Sequence, residues 1–242
     1  MSAWSKERRE VLAELAAANG GRRIVVIGAV AVAHHLGAGF RTTLDFDLCV
    51  ASAREDTRVP AGWTAHPSIV HRWSAAGGLT IDLVCIGDDD LARGFVAWPD
   101  GTRLDLGGVD LALRDAEPIG CGLPAMVCVA SLRALFVCKV FAWNDRRWDR
   151  RKDLGDLARI LDRYVELDDE RCFVDPALPL ELDLTERPAF LLGRDLAAVG
   201  SEPQRTAIER FALEMADEAT QPHAAMASHW PRDPTALGRR RR

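Results

Sequence analysis

Asp45 and Asp47 stand one residue apart in the stretch FRTTLDFDLCV, residues 40–50. A β-strand rises about 3.3 Å per residue and turns successive side chains to opposite faces. An extended chain here puts Leu44, Phe46 and Leu48 on one face and both carboxylates on the other, within about 7 Å of each other. Like charges at that spacing repel, and each loses part of its hydration. A divalent cation held between them offsets both costs, and hard oxygen ligands suit Mg2+ or Mn2+. A solvated strand face would explain the pair as simply, since Asp88 to Asp90 supply the same spacing by chance.

A third carboxylate makes the first two more specific. Asp82 interrupts the apolar run LTIDLVCIG, residues 79–87. Alternation sets it with Thr80 and Val84, opposite Leu79, Ile81 and Leu83. A buried carboxylate without a partner costs several kcal/mol or takes up a proton. Beside Asp45 and Asp47 it would complete a three-carboxylate site for two divalent ions. Such a site activates an attacking oxygen and neutralises a leaving group in phosphoryl-type transfer. Pairing of Asp82 with a core arginine is the competing explanation.

Other residues suit a polyphosphate. Gly28 lies between an apolar run and a helical one, in VVIGAVAVAHHLG. A glycine at a strand-to-helix turn lets a ligand approach the backbone, and the helix N-terminus offers free N–H groups to an anion. Lys139 sits among Val137, Cys138, Val140 and Phe141. It either snorkels to solvent or points its ammonium at a phosphate. Asp153 and Asp156, three residues apart, share a helix face, and Asp153 also suits a helix N-terminus. The basic stretch DRRWDRRKD, residues 145–153, contains Arg146 and Lys152. It serves either as a solvated loop or as a contact for polyphosphate or an RNA backbone.

These residues need elements to place them. Residues 4–18 predict an amphipathic helix ended by NGG. RIVVIG reads as a strand, AVAVAHHLGAG as a helix, and the D-x-D segment as the next strand. Residues 51–62 read as a loop, and SIVHRW and LTIDLVCIG as a hairpin closed by SAAGG. RLDLGG, VDLALR and AMVCV are strand candidates. From Ser131 helical periodicity takes over, in SLRALFVCKVFAW, KDLGDLARILDRYV, RPAFLLGRDLAAVG and PQRTAIERFALEMADEA. Residues 1–130 thus form an α/β core and 131–230 a helical region, with a basic tail at 231–242 expected to be disordered.

Composition sets outer limits. The chain has 242 residues, is 48% hydrophobic and carries a net charge of −5. That charge argues against a protein that coats nucleic acid non-specifically. No apolar run reaches the roughly 18 residues of a membrane span, and the charged N-terminus is unlike a signal peptide. The six cysteines, without a C-x-x-C pair, read as buried thiols of a cytoplasmic protein. His34 and His35, neighbours on a helix, diverge by about 100° and read as ordinary. Trp143 and Trp148 fit either a core or an interface.

In order, Gly28-Ala29, Asp45-Phe46-Asp47 and Asp82 resemble the nucleotidyltransferase superfamily with the polymerase-β-like core. IGAVAVAHHLG…RTTLDFDL, IDLVCIGD and LRALFVCKVFAWNDRR…RKDLGDL are similar to its AbiEii-type and MenT-type toxin branch, over residues 23–163. The resemblance implies an α+β fold, a mixed sheet flanked by helices with a C-terminal helical region that completes the NTP pocket. It makes Asp45, Asp47 and Asp82 the ligands of two Mg2+ or Mn2+ ions, with Asp82 alternatively the base. Gly28, the Ala29 backbone, Arg41, Lys139, Arg146 and Lys152 would hold the NTP, and Asp156 would complete the pocket. The implied activity is NMP transfer from an NTP to an acceptor hydroxyl, with RNA, at the tRNA 3′ end, as acceptor and a cognate antitoxin as protein partner. A small-molecule nucleotidyltransferase that modifies antibiotics is one alternative. A non-catalytic nucleotide-binding or interaction module is another. Ala29 departs from the pattern, which continues after the glycine with glycine or serine.

Overall fold

The computed structural model describes residues 3–37, 43, 45–147, 149–179 and 181–229. Arg41, Leu44, Trp148 and the 231–242 tail lie outside the described residues. The fold is mixed α/β: a mixed sheet flanked by helices, then a helical C-terminal region. The chain divides into two compact units between Cys138 and Lys139.

In the first unit the described elements are α1 (Lys6–Ala18), β1 (Ile24–Val26), α2 (Gly28–Leu36), β2 (Asp45–Val50), β3 (Thr64–Ala65), β4 (Arg72–Ser74), β5 (Thr80–Cys85), α3 (Asp88–Arg93), β6 (Phe95–Ala97), β7 (Arg103–Asp105), α4 (Val109–Arg114), β8 (Ala116–Pro118) and β9 (Val127–Ala130). Seven strands form one sheet in the order β3-β4-β5-β2-β1-β9-β8, while β6 and β7 pair separately. β2 runs parallel to β5 and antiparallel to β1, and β1 runs parallel to β9. The expected hairpin is β4–β5, paired antiparallel.

The apolar halves of these strands are closed from water. Phe46, Leu48 and Val50 of β2 and Ile81 of β5 are fully buried, as is all of β1. Each such side chain contributes roughly 1.5–3 kcal/mol on burial. α2 packs against β2, and its residues Ala29 to Val32 are all buried. VDLALR, expected as a strand, is the helix α4. Its alternating apolar pattern is ambiguous over six residues, but Arg114 donates to Asp110 one turn away, and Val109 and Leu113, four apart, are both buried. Gly108, preceding α4, leaves no room for a side chain. A Cβ there would lie 2.6 Å from the Cys138 Cα.

The second unit holds the remainder of α5 (Leu132–Asp145), then α6 (Arg151–Arg163), α7 (Arg171–Val174), α8 (Arg187–Val199), α9 (Glu202–Ala216) and α10 (Gln221–Ala227). α6 packs on α8 and α10, and α10 on α9. Trp143 is fully buried and donates through Nε1 to Glu214. Tyr164 packs on Val165, Cys172 and Leu191 and donates its hydroxyl to Asp195 at 2.7 Å. No disulfide joins the six cysteines. Among the described residues, no helix is long and apolar enough to cross a membrane.

Trp4 Nε1 donates to His34 Nδ1 at 2.8 Å, and His35 Nε2 meets the Ala130 carbonyl at 2.8 Å. Both histidines are structural. Burial depresses the His34 pKa, with His35 adding to the effect and Glu117 opposing it. The folded state therefore takes up this proton less readily than the unfolded chain. The associated stability is fully present above the unfolded value near 6.5 and is lost as pH falls from there through the folded value. Thermal melts at pH 7.5, 6.5 and 5.5 are expected to show falling stability, with a shallower fall in His34→Gln, which keeps an acceptor but does not titrate.

Candidate active site

Parallel pairing of β2 with β5 sets Asp47 directly beside Asp82, and Asp45 beside Thr80. Registered neighbours in a sheet point to the same face, with strands about 4.8 Å apart. The three carboxylates thus share one face, as alternation predicted. Phe46, Leu48, Ile81 and Leu83 occupy the other and are buried.

The glycine turn serves this row in a way the sequence did not disclose. Gly28 has φ +69°, and a Cβ there would lie 2.0 Å from Asp47 Oδ2. Glycine is required both by the left-handed backbone and by the carboxylate lying against it. Ile27 N donates to the Asp47 carbonyl at 3.0 Å, tying the turn to β2. The Ala29 side chain is only 3% exposed and faces the core.

Asp82 has a partner that the sequence reading did not single out. In the β4–β5 hairpin Arg72 registers against Asp82. Its Nε donates to Oδ1 and its Nη2 to Oδ2, both at 2.7 Å. Hydrogen bonding to Asp82, and the fields of Asp82, Asp45 and Asp47, raise the Arg72 pKa against its partial burial. The sequence held a clue: in a hairpin where Ser74 meets Thr80, residues 72 and 82 must also meet. The core-arginine alternative for Asp82 is therefore the arrangement found.

Arg72 is thus the observed partner of the third carboxylate expected at the metal. Among the described residues, no group of three or more His, Cys, Asp or Glu is placed to hold a metal ion. Both Asp82 oxygens accept from the guanidinium, and Asp45 and Asp47 share the face of Asp82.

In the second unit Lys139 meets carboxylates. Its Nζ lies 2.6 Å from Asp153 Oδ1 and 2.7 Å from Asp156 Oδ2. Both aspartate side chains are 0% exposed and that of Lys139 is 10% exposed. Burial disfavours the ammonium, but Asp156 and Asp153 hold its pKa above the usual lysine value. Asp153, weighed in the sequence as a helix-end charge, is half of this clamp. The ammonium expected at a phosphate is thus enclosed by two carboxylates. Nearby, Arg146 pairs with Asp145, Arg147 with Glu214, and Lys152 is exposed.

The reverse face of β4 and β5 borders a cavity of about 710 Å³, lined by residues that include Trp73, Leu83, Cys85, Asp88, Arg93 and Trp98. Trp98 stacks near His71, with ring centroids 4.8 Å apart. Alternation places the carboxylate row on the face away from this cavity.

No family model matches the chain, and no curated protein does. Among solved structures, the antibiotic-resistance factor ANT(2″)-Ia, whose solution structure is described as revealing substrate-regulated conformation dynamics, aligns over 87% of this chain and 96% of its own. The identity is 13% and the TM-score 0.38, too slight a likeness for chemistry to be read across.

Removing the lysine from the clamp would leave two carboxylates buried without their cation. Lys139→Met is expected to lower stability by about 3–5 kcal/mol, the cost of breaking a buried ion pair. Urea denaturation measures it. A loss under about 1 kcal/mol, typical of an exposed charge, would show that the clamp carries no structural weight.

Proposed function

We propose that the chain is a nucleotidyltransferase that transfers a nucleoside monophosphate from an NTP to an acceptor hydroxyl and releases pyrophosphate. The observation that carries this reading is the Asp45/Asp47 face of β2 seated on the Gly28 turn. A strand, a glycine turn and a helix precede a strand with paired carboxylates, and a third carboxylate joins them from the parallel neighbour. The resemblance of residues 23–163 to toxin nucleotidyltransferases supports the same chemistry.

In the reaction the acceptor oxygen bonds to the α-phosphorus as the bond to the β-phosphate bridging oxygen breaks. The acceptor gives up its proton and pyrophosphate departs. A divalent ion at Asp45 and Asp47 would supply charge neutralisation at the transferred group. Arg72, held by Asp82, presents a fixed cation on the same face. Such a preorganised charge is worth most where negative charge develops. Both Asp82 oxygens accept from the Arg72 guanidinium, so Asp82 acts as the anchor of Arg72.

For the acceptor we favour RNA, at the 3′ end of tRNA, with the chain acting as the toxin of a toxin–antitoxin pair. The exposed cations Arg146 and Lys152 support contact with an RNA or triphosphate backbone. The branch resemblance supports the toxin role.

The test is incubation of the purified chain with each α-labelled NTP, Mg2+ and tRNA, followed by mapping of the label. Labelled tRNA bearing an added 3′ nucleotide is expected. Asp45→Asn and Asp47→Asn, which remove charge with little change of volume, should each lower the rate by more than about 100-fold, beyond the 10–100-fold typical of outer-shell substitutions at metal sites. Near-normal turnover in either variant would overturn the assignment.

A further inference from the structure

The reverse face of the sheet carries side chains that the proposed reaction does not use. Alternation along β4 and β5 sends His71, Trp73 and Leu83 away from the Arg72–Asp82 pair, and Leu83 N donates to the His71 carbonyl at 2.8 Å. These residues line the cavity of about 710 Å³ together with Val96 and Trp98 from the β6–β7 hairpin. That volume suits a small organic molecule, since ligand sites run to about 300–1,000 Å³.

The rings are held in place before any ligand arrives. Trp98 N donates to the Thr102 carbonyl and Gly101 N to the Trp98 carbonyl, both at 2.9 Å. Asp100 Oδ1 closes the same turn by accepting from Thr102 N and Oγ1. The Trp98 ring packs against that of His71, with centroids 4.8 Å apart and planes inclined by 32°. Trp73 is fixed by register, with Ala65 on one side and Ile81 on the other. Leu83 and Val96 are buried and apolar, while both indoles stay half-buried.

Charge selects among the molecules that would fit. The ionisable lining consists of Glu55, Asp88, Asp89 and Asp90 against Arg54 and Arg93, with His71 beside them. The four carboxylates leave a surplus of two negative charges over the guanidiniums. Arg93 is already paired with Asp90 at 2.5 Å, and Asp90 Oδ2 also accepts from Gly87 N at 3.0 Å. Glu55, Asp88 and Asp89, all exposed, then outnumber Arg54. A cleft lined mostly by one sign of charge concentrates ligands of the other sign. The face of an indole also attracts a cation, more strongly than the rings of Tyr or Phe do.

We propose that this cavity is a second binding site, which takes a small organic cation: a protonated or quaternary amine on an apolar or aromatic body, its charge against the indoles and the acidic lining. The site lies on the face away from Asp45, Asp47 and Asp82, and it does not depend on the nucleotidyltransferase reading.

The experiment is calorimetric titration of the full chain with benzyltrimethylammonium, benzyl alcohol and phenylacetate, which share a phenyl ring and differ in charge. The cation is expected to bind once per chain, about tenfold or more tighter than either of the others. Trp98→Ala should weaken it about tenfold. Asp88→Asn combined with Asp89→Asn should weaken it about threefold or more. Phenylacetate binding as tightly as the cation, no binding of the cation at millimolar concentration, or unchanged affinity in either variant would each overturn the proposal. If Trp98→Ala does not fold, the exposed aspartate pair still decides. A short peptide carrying trimethyllysine that binds more tightly than benzyltrimethylammonium would overturn the small-molecule assignment in favour of a protein partner.

Discussion

The register of β2 against β5 is the constraint on which the rest of the carboxylate face depends. Side chains alternate with period two, so a one-residue slip would turn the aspartates into the core and Phe46 and Leu48 out of it. The apolar half of each strand sets the position of the charged half. Phe46, Leu48, Ile81 and Leu83, all buried, each contribute roughly 1.5–3 kcal/mol. Two carboxylates about 5 Å apart repel by about 3 kcal/mol at the effective dielectric of a protein surface. Burial therefore outweighs the repulsion, and Arg72 removes much of what is left. A sheet can present clustered like charges when its reverse side is apolar and a neighbouring strand brings a counter-charge in register.

The two units resolve clustered acid in different ways. On the sheet, Arg72 and Asp82 retain partial exposure, so water and counter-ions share the neutralisation. In the helical unit, Lys139 is enclosed with Asp153 and Asp156, and the trio has a surplus of one negative charge. Asp153 Oδ2 has no hydrogen-bond partner among the described residues, and the Arg150 guanidinium lies 3.9 Å away. A buried ion cluster is often no more stable than an apolar replacement, yet breaking one is costly. Its effect is to fix how α6 lies against the end of α5, since both aspartates must reach one ammonium.

Much of the fold could be read from local pattern. β1, α2, β2 and the β4–β5 hairpin follow from periodicity and turn glycines, as do α5, α6, α8 and α9. VDLALR failed because six alternating residues satisfy a strand and a short helix alike; in α4 Val109 and Leu113, one turn apart, are buried together. At the site, the shared face of Asp45, Asp47 and Asp82 was legible, because alternation needs no tertiary information. The partner of Asp82 required counting register across a hairpin. The partners of Lys139 required the packing of two helices. A lysine among apolar residues signals an enclosed ammonium, but sequence does not say whether a phosphate or a carboxylate meets it. The K-D-x-x-D spacing put Asp153 and Asp156 on one face without saying which cation that face would find.

The residue after the glycine shows how structure can change the meaning of a motif departure. As a sequence feature, Ala29 in place of glycine or serine suggests a missing hydroxyl at the phosphate. In the fold, Ala29 begins a buried run that continues through Val30, Ala31 and Val32. Ala29 is 3% exposed, so a hydroxyl there would need an acceptor close by, at a cost of about 1–3 kcal/mol if it found none. Alanine is thus the residue that the packing of α2 on β2 favours. The chemical contribution of the turn falls to Gly28, whose missing side chain leaves the space that the Asp47 carboxylate occupies.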